Sequence, residues 1–388
     1  MGAVNRQILT FTNLFPRAAC PEHGCFVKDR MQRVAEHSGL PWRVLCPVPR
    51  VPRLLRRREY RVMAGMPRSE VVEGTVVDNV PYLHLPGIST RWHARRIARA
   101  CLPVVRELTR GVRTVIDAHY VYPDGVAAMA IARTLNLPCV VTARGSDLNV
   151  LGQNAAVARQ IAESMSDAVE VLAVSQQLAG VFDDFLGERR TRLVRNGVDL
   201  ERFKPGDKVA ARAELGLPIE GALVLGVGRL CTAKGFHHAA AALGKTGSAA
   251  TLVLVGEGPE RTALARMLPE GRLIFLGGLS RDRVALAYRA CDLLVLPTYR
   301  EGWPNVVTEA LATGLPVVAS AVGGIPAILA GSDAGALLEC GDEVGLAREI
   351  DRFLASPPDP AQVRALAARY SWEEPVSLLS TLLSEVLS

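Results

Sequence analysis

The sequence predicts an α/β protein built as two Rossmann-like, doubly wound domains facing a central cleft. Three observations predict it. Short apolar strands alternate with Ala- and Leu-rich helical stretches along the chain, that rhythm breaks once near its middle, and 388 residues exceed one ordinary core.

The first domain opens with the apolar strand QILTFTN. A loop containing Pro and Gly runs to Gly24, and a helix follows through Phe26, Val27, Met31, Val34 and Ala35. Further strands are predicted at WRVLCPV, TVIDAHY, LPCVVTARG, EVLAVS and TRLVRNGV, with helical segments such as GVAAMAIARTLN between them. Continuous apolar runs of this kind suit parallel strands buried on both faces. The stretch DLERFKPGDKVAARAELG, from Asp199 to Gly216, is charged and carries Pro205 and Gly206, so the domain boundary is placed there. Strands resume at ALVLGVGR, ATLVLVGEG, LIFLGG, DLLVLPT and LPVVAS, and the segment from Ser371 is one amphipathic helix. The expected division is residues 1–200, residues 201–370, and a terminal helix, 371–388, crossing back to the first domain. No sequence repeat is detectable, which excludes a solenoid.

Composition narrows the function classes. Apolar residues make up 49% and charged residues 22%, enough for packed cores and against disorder. No run of about 18 uncharged apolar residues occurs and the N-terminus reads as a strand, so a cytoplasmic location is expected. Eight cysteines are scattered without a CxxC pair, as reduced core residues would be. Cys20, His23 and Cys25 cluster, but no second ligand pair follows at a zinc-site spacing. The net charge of +6 is concentrated in the first half: Arg43, Arg50, Arg53, Arg56, Arg57, Arg58, Arg61 and Arg68 share a stretch whose only acid is Glu59. With RWHARRIARA at 91–100, carrying Arg91, Arg95, Arg96 and Arg99, it suits either a solvated face or an anionic membrane surface. Sparse aromatic interleaving argues against nucleic acid. No strand is followed by GxGxxG with an acid about 20 residues on, which sets a dinucleotide dehydrogenase aside.

Two stretches carry chemistry. In GVGRLCTAKG, residues 226–235, a strand ends in glycines followed by Arg229 and Lys234, bringing backbone amides and two cations to a diphosphate. In PTYREGWPNVVTE, residues 297–309, Glu301 precedes a helix and Glu309 lies inside it, with Pro304 suited to the first helical turn. A helix N-terminus flanked by carboxylates suits the phosphates and hydroxyls of a nucleotide sugar, although such acids also simply cap helices.

The Glu-x7-Glu spacing, GRL…KG and VRNGVDLERFKP resemble glycosyltransferase family 4, of GT-B fold. VGEGPE, FLGGLS and EALATGLPVVASAVGGIP agree in order. DAHYVYPDGVAAMAIARTLNLPCVVTARGSDLN is similar to the acceptor-side block of members that build exopolysaccharides or teichuronic acid.

The resemblance implies a retaining glycosyltransferase that moves a sugar from a nucleotide-diphosphate sugar to a glycan or polyprenyl-linked acceptor. It implies that Arg229 and Lys234 neutralise the diphosphate, Glu309 holds the ribose hydroxyls, Glu301 holds those of the sugar, and the amides at Asn305 and Val306 meet phosphates or sugar. His119 matches a histidine that meets the donor sugar, assisting by position and charge. Gly24 matches a glycine that lets the donor approach, and Asp147 an acceptor-side aspartate. Arg144 stands where many relatives carry histidine, and Ala327 where they carry glutamate. No Asp-x-Asp pair is present, so neither a metal nor another cofactor is expected. A nucleotide-sugar epimerase or phosphorylase of the same architecture, and a non-catalytic nucleotide-sugar-binding protein, are the competing expectations.

Overall fold

A computed structural model describes residues 5–52, 54, 63, 65–85 and 90–388. The strands, in chain order, are β1 (Arg6–Phe11), β2 (Trp42–Arg50), β3 (Ser69–Val72), β4 (Thr75–Leu83), β5 (Arg113–His119), β6 (Cys139–Ala143), β7 (Glu170–Ala173), β8 (Arg192–Leu193), β9 (Leu223–Val227), β10 (Thr251–Val255), β11 (Leu273–Gly277), β12 (Leu293–Leu296), β13 (Val317–Ser320) and β14 (Gly335–Leu338). They form two sheets, and the chain divides into two units: Met1–Asn196 with Trp372–Ser388, and Gly197–Ser371.

The first unit holds an eight-stranded sheet in the order β3-β4-β2-β1-β5-β6-β7-β8. Every pairing is parallel except β3 with β4. Its interior strands are apolar on both faces because helices cover both, as parallel sheets require. From β1 the chain builds toward β2 and β4, then returns to lay β5 on β1's other side. The strand order therefore reverses between β1 and β5, and at their carboxyl ends two loops diverge. The helix Glu373–Val386 belongs to this unit. It buries Val376, Leu379, Leu382 and Leu383 in a core with Ile8, Met31 and Val34. Ser380 Oγ also donates to Val34 O of the helix Cys25–Ser38 at 3.4 Å.

The second unit holds a six-stranded parallel sheet, β11-β10-β9-β12-β13-β14, whose order reverses between β9 and β12. Its core joins Val224, Leu252, Leu254, Val295 and Val318 to Phe236, Leu243, Ile350 and Phe353.

Three strands, β3, β4 and β14, lie outside the segments the sequence predicts. TVVDNVPYL, β4, is interrupted by Asp78 and Asn79, which are buried because Arg43 Nε meets Asp78 Oδ2 at 2.6 Å and Asn79 Nδ2 donates to Pro67 O and Glu70 Oε1. The short strands β3 and β14 have four residues each. TRLVRNGV is strand only at Arg192–Leu193. Beyond them, the carbonyls of Val194 and Arg195 accept from Arg30 rather than from a neighbouring strand.

Among the described residues no helix is long and apolar enough to cross a membrane. Arg53, Arg56, Arg57, Arg58 and Arg61 of the basic stretch lie outside the described residues. Four cysteines, Cys46, Cys101, Cys139 and Cys291, are buried, whereas Cys340 is exposed.

Candidate functional site

In the second unit the reversal point sets two loops side by side, Gly228–Gly235 after β9 and Pro297–Pro304 after β12. Glycines allow the close fit. A Cβ on Gly256 would lie 2.0 Å from Gly228 O, and one on Gly235, at φ +68°, would lie 1.8 Å from Pro297 O. Ala233 O accepts from Thr298 Oγ1 and from Tyr299 N, each at 2.9 Å, which ties the loops together. Lys234 Nζ thereby comes to 2.5 Å from Glu301 Oε1. The cation expected at the diphosphate and the carboxylate expected at the sugar thus form one ion pair, both largely sheltered from solvent. Arg229 is exposed at the head of the same loop.

The helix Asn305–Ala312 begins one residue later than its Pro suggests. Pro304 is the N-cap, φ −80° and ψ 95°, and no side chain caps the first turn. The positive end of this helix dipole and the amides at Asn305 and Val306 therefore stand beside the Lys234–Glu301 pair in sequence and loop connection. Gly323 and Gly324 brace the loop from behind: Gly324 N donates to Gly302 O at 3.0 Å, and a Cβ on Gly323 would lie 2.3 Å from Glu301 O. Glu309, inside the helix, receives the Tyr288 hydroxyl on Oε2 at 3.0 Å, and Arg281 Nη2 lies 3.7 Å from its Oε1. Neither partner was legible in the sequence. Ala327 contributes only its backbone oxygen, which accepts from Tyr370 Oη at 2.9 Å.

In the first unit the loops after β1 and β5 are joined by Asp124, fully buried, whose carboxylate accepts from Asn13 N at 2.5 Å and from Asn13 Nδ2 at 3.2 Å. Burial raises this carboxyl to about 7, chiefly by desolvation.

His119 ends β5. Its Nδ1 accepts from Arg144 Nη2 at 2.6 Å, and its Nε2 lies 2.7 Å from Asp117 Oδ2. Arg144 Nη1 and Arg30 Nη2 both donate to Asn196 Oδ1, each at 2.9 Å.

Three of the expected site residues are held by the chain's own contacts. His119 is 1% exposed, and desolvation, only partly opposed by Asp117, lowers its pKa to about 4. Burial thus favours the neutral ring. Asp147 is also buried, and its carboxylate accepts backbone amides of Val121 (2.8 Å), Arg144 (3.0 Å) and Gly145 (2.7 Å). It shapes the turn that presents Arg144. Gly24, at φ +71°, would place a Cβ 2.2 Å from Leu14 C, so the chain's own loop requires glycine there. Among the described residues no group of three or more His, Cys, Asp or Glu side chains is placed to hold a metal ion, Cys20, His23 and Cys25 included.

Comparison with known proteins places the chain. Residues 207–369 match the family described as glycosyl transferases group 1, and residues 41–202 match Glycosyltransferase Family 4. The teichuronic acid biosynthesis glycosyltransferase TuaC, as the Bacillus subtilis protein is named, is 31% identical over 354 residues, covering 89% of each chain. The chain belongs to glycosyltransferase family 4. Its family homologues support transferase activity, and solved structures agree on the fold. Sucrose-phosphate synthase from Thermosynechococcus elongatus superposes with a TM-score of 0.79 at 21% identity, covering 98% of this chain and 99% of that one. Anabaena HepE, solved in complex with UDP and glucose, superposes with a TM-score of 0.75 at 19% identity over 98% and 99%. This family 4 chain therefore has the GT-B fold, two parallel-sheet Rossmann-like domains.

Proposed function

We propose that the protein is a retaining, metal-independent glycosyltransferase that moves a hexosyl group from a nucleoside-diphosphate sugar to a glycan or polyprenyl-linked acceptor in cell-surface polysaccharide synthesis. The observation that carries this is the Lys234–Glu301 pair at the reversal point of the second sheet, with Arg229 on the same loop and the helix Asn305–Ala312 directly after Glu301. A leaving diphosphate gathers negative charge, and preorganised cations and helix amides stabilise it without reorganising. In this scheme Lys234 exchanges its Glu301 partner for phosphate oxygens, and the released carboxylate accepts hydroxyls of the transferred sugar. Glu309 holds the ribose. The relative named for teichuronic acid biosynthesis and the relative solved with UDP and glucose support this choice of acceptor and donor classes.

Retention by double displacement needs a carboxylate nucleophile beneath the anomeric carbon. Glu301 and Glu309 are both engaged with hydroxyls in this scheme, so the acceptor hydroxyl enters on the face the diphosphate leaves. The C1–O bond to the diphosphate breaks as the new C1–O bond forms, and the hydroxyl proton passes to the departing phosphate oxygen. The first unit receives the acceptor near Arg144, and its basic surface rests on the cytoplasmic face of an anionic membrane, where a lipid-linked acceptor would lie.

The test is to incubate purified protein with UDP-, GDP- and ADP-sugars and a panel of polyprenyl-linked and soluble glycan acceptors. Products are identified by mass spectrometry, and their anomeric configuration by NMR. A glycosylated acceptor with the donor's anomeric configuration is expected. An inverted product, or an epimerised nucleotide sugar with no transfer, contradicts the proposal.

A further inference from the structure

The helix Arg281–Ala290 contributes no residue to the roles above, and Phe203, at the end of VRNGVDLERF, has no part in them either. The structure joins both to Glu309. Arg281 and Tyr288 are seven positions apart, two helical turns, so their side chains leave the same face. Phe203 backs both: the Tyr288 ring meets it edge-on with centroids 5.9 Å apart, and the Arg281 guanidinium carbon lies 5.6 Å from its centroid. Both side chains end on the Glu309 carboxylate, the phenol donating to Oε2 at 3.0 Å and Arg281 Nη2 standing 3.7 Å from Oε1.

Tyr288 is 1% exposed, and its burial, with the carboxylate beside it, holds the phenol well above its usual pKa. The hydroxyl is therefore a fixed donor over the whole working range. A carboxylate oxygen accepts more than one hydrogen bond, so a donor on Oε2 fixes the plane of the group without exhausting it. Two adjacent ribose hydroxyls need both carboxylate oxygens aimed at once. A carboxylate free to rotate would meet one hydroxyl and lose the other.

We infer that Tyr288 is a positioning residue for Glu309, seconded by Arg281 and backed by Phe203, and that this cluster sets the preference for ribonucleotide over 2′-deoxyribonucleotide donors. The inference rests on the assignment of Glu309 to the ribose.

Isothermal titration of the full chain with UDP, GDP and ADP, and with the 2′-deoxy form of whichever binds most tightly, tests it. Wild-type protein is expected to favour the ribonucleotide about tenfold, as a lost hydrogen bond to a charged group implies. Tyr288→Phe should narrow that ratio to about twofold, with donor KM rising more than kcat falls, a split that a merely structural defect would not give. An unchanged ratio in Tyr288→Phe overturns the inference while leaving the donor assignment intact. Should Tyr288→Phe fail to fold, the more accessible Arg281→Gln decides, and a wild-type ratio there overturns it equally. Wild-type protein that binds no nucleoside diphosphate, or Glu309→Ala protein that binds it undiminished, removes the ribose assignment itself and the inference with it.

Discussion

His119 sits between a cation on Nδ1 and a carboxylate beside Nε2, with almost none of its ring in contact with water. Arg144 can only donate, so Nδ1 accepts and the single ring proton belongs on Nε2, toward Asp117. With a folded pKa near 4 against 6.5 in the unfolded chain, the stability this residue contributes is present above pH 6.5 and is lost as pH falls toward about 4. Histidine NMR on labelled protein should show His119 as a neutral Nε2–H tautomer at pH 7 and still neutral near pH 5. A ring that titrates at pH 6 to 7 contradicts the assignment. The sequence pointed to His119, Arg229, Lys234, Glu301 and Glu309, because each stands in a short motif at the end of a predicted strand or in the helix behind it. It did not point to the partners that lie outside those motifs. Arg30 meets Asn196 across 166 positions, and Tyr288 meets Glu309 from another helix, so no local pattern links them. Nor did the sequence single out Asp124, because only the fold brings Asn13 to it.

The helix His93–Leu108 buries Ala94, Ile97, Cys101 and Val105 at helical spacing and leaves Arg95, Arg99 and Arg106 exposed on its other side. Just before it Trp92 is 41% exposed, with the Arg91 guanidinium 4.2 Å from its ring centroid. Cations flanking an exposed tryptophan suit an interface of anionic headgroups. Co-sedimentation with phosphatidylglycerol vesicles should show binding that weakens at least about tenfold in Arg95→Glu/Arg99→Glu and at high salt. Binding that survives both would assign this stripe to solvent. Elements whose apolar pattern was continuous were readable from the chain alone. β4 was not, because Asp78 and Asn79 are tolerated inside it only through Arg43 and Glu70, neighbours that pairing supplies.

Over the whole molecule, the chain leaves the first unit at Asn196 and returns to it at Trp372. Val376, Leu379, Leu382, Leu383 and Leu387 complete the first unit's core. At roughly 1.5–3 kcal/mol for each large buried side chain, their removal approaches the whole stability of an ordinary domain. A chain ending at Ser371 should therefore lose amide-exchange protection throughout β1, β2 and β5 while β9, β10 and β12 stay protected. Equal protection in both units would show that the helix Glu373–Val386 is dispensable.

Donor turnover in Lys234→Ala, set beside wild-type protein with and without EDTA, tests whether the second unit's fixed cation carries the leaving diphosphate. EDTA should leave wild-type turnover unchanged, and Lys234→Ala should lose on the order of 10²–10³-fold in kcat with the fold intact by circular dichroism. Full turnover in Lys234→Ala, or its collapse in wild-type protein on chelation with recovery on adding Mg²⁺ or Mn²⁺, would contradict that role.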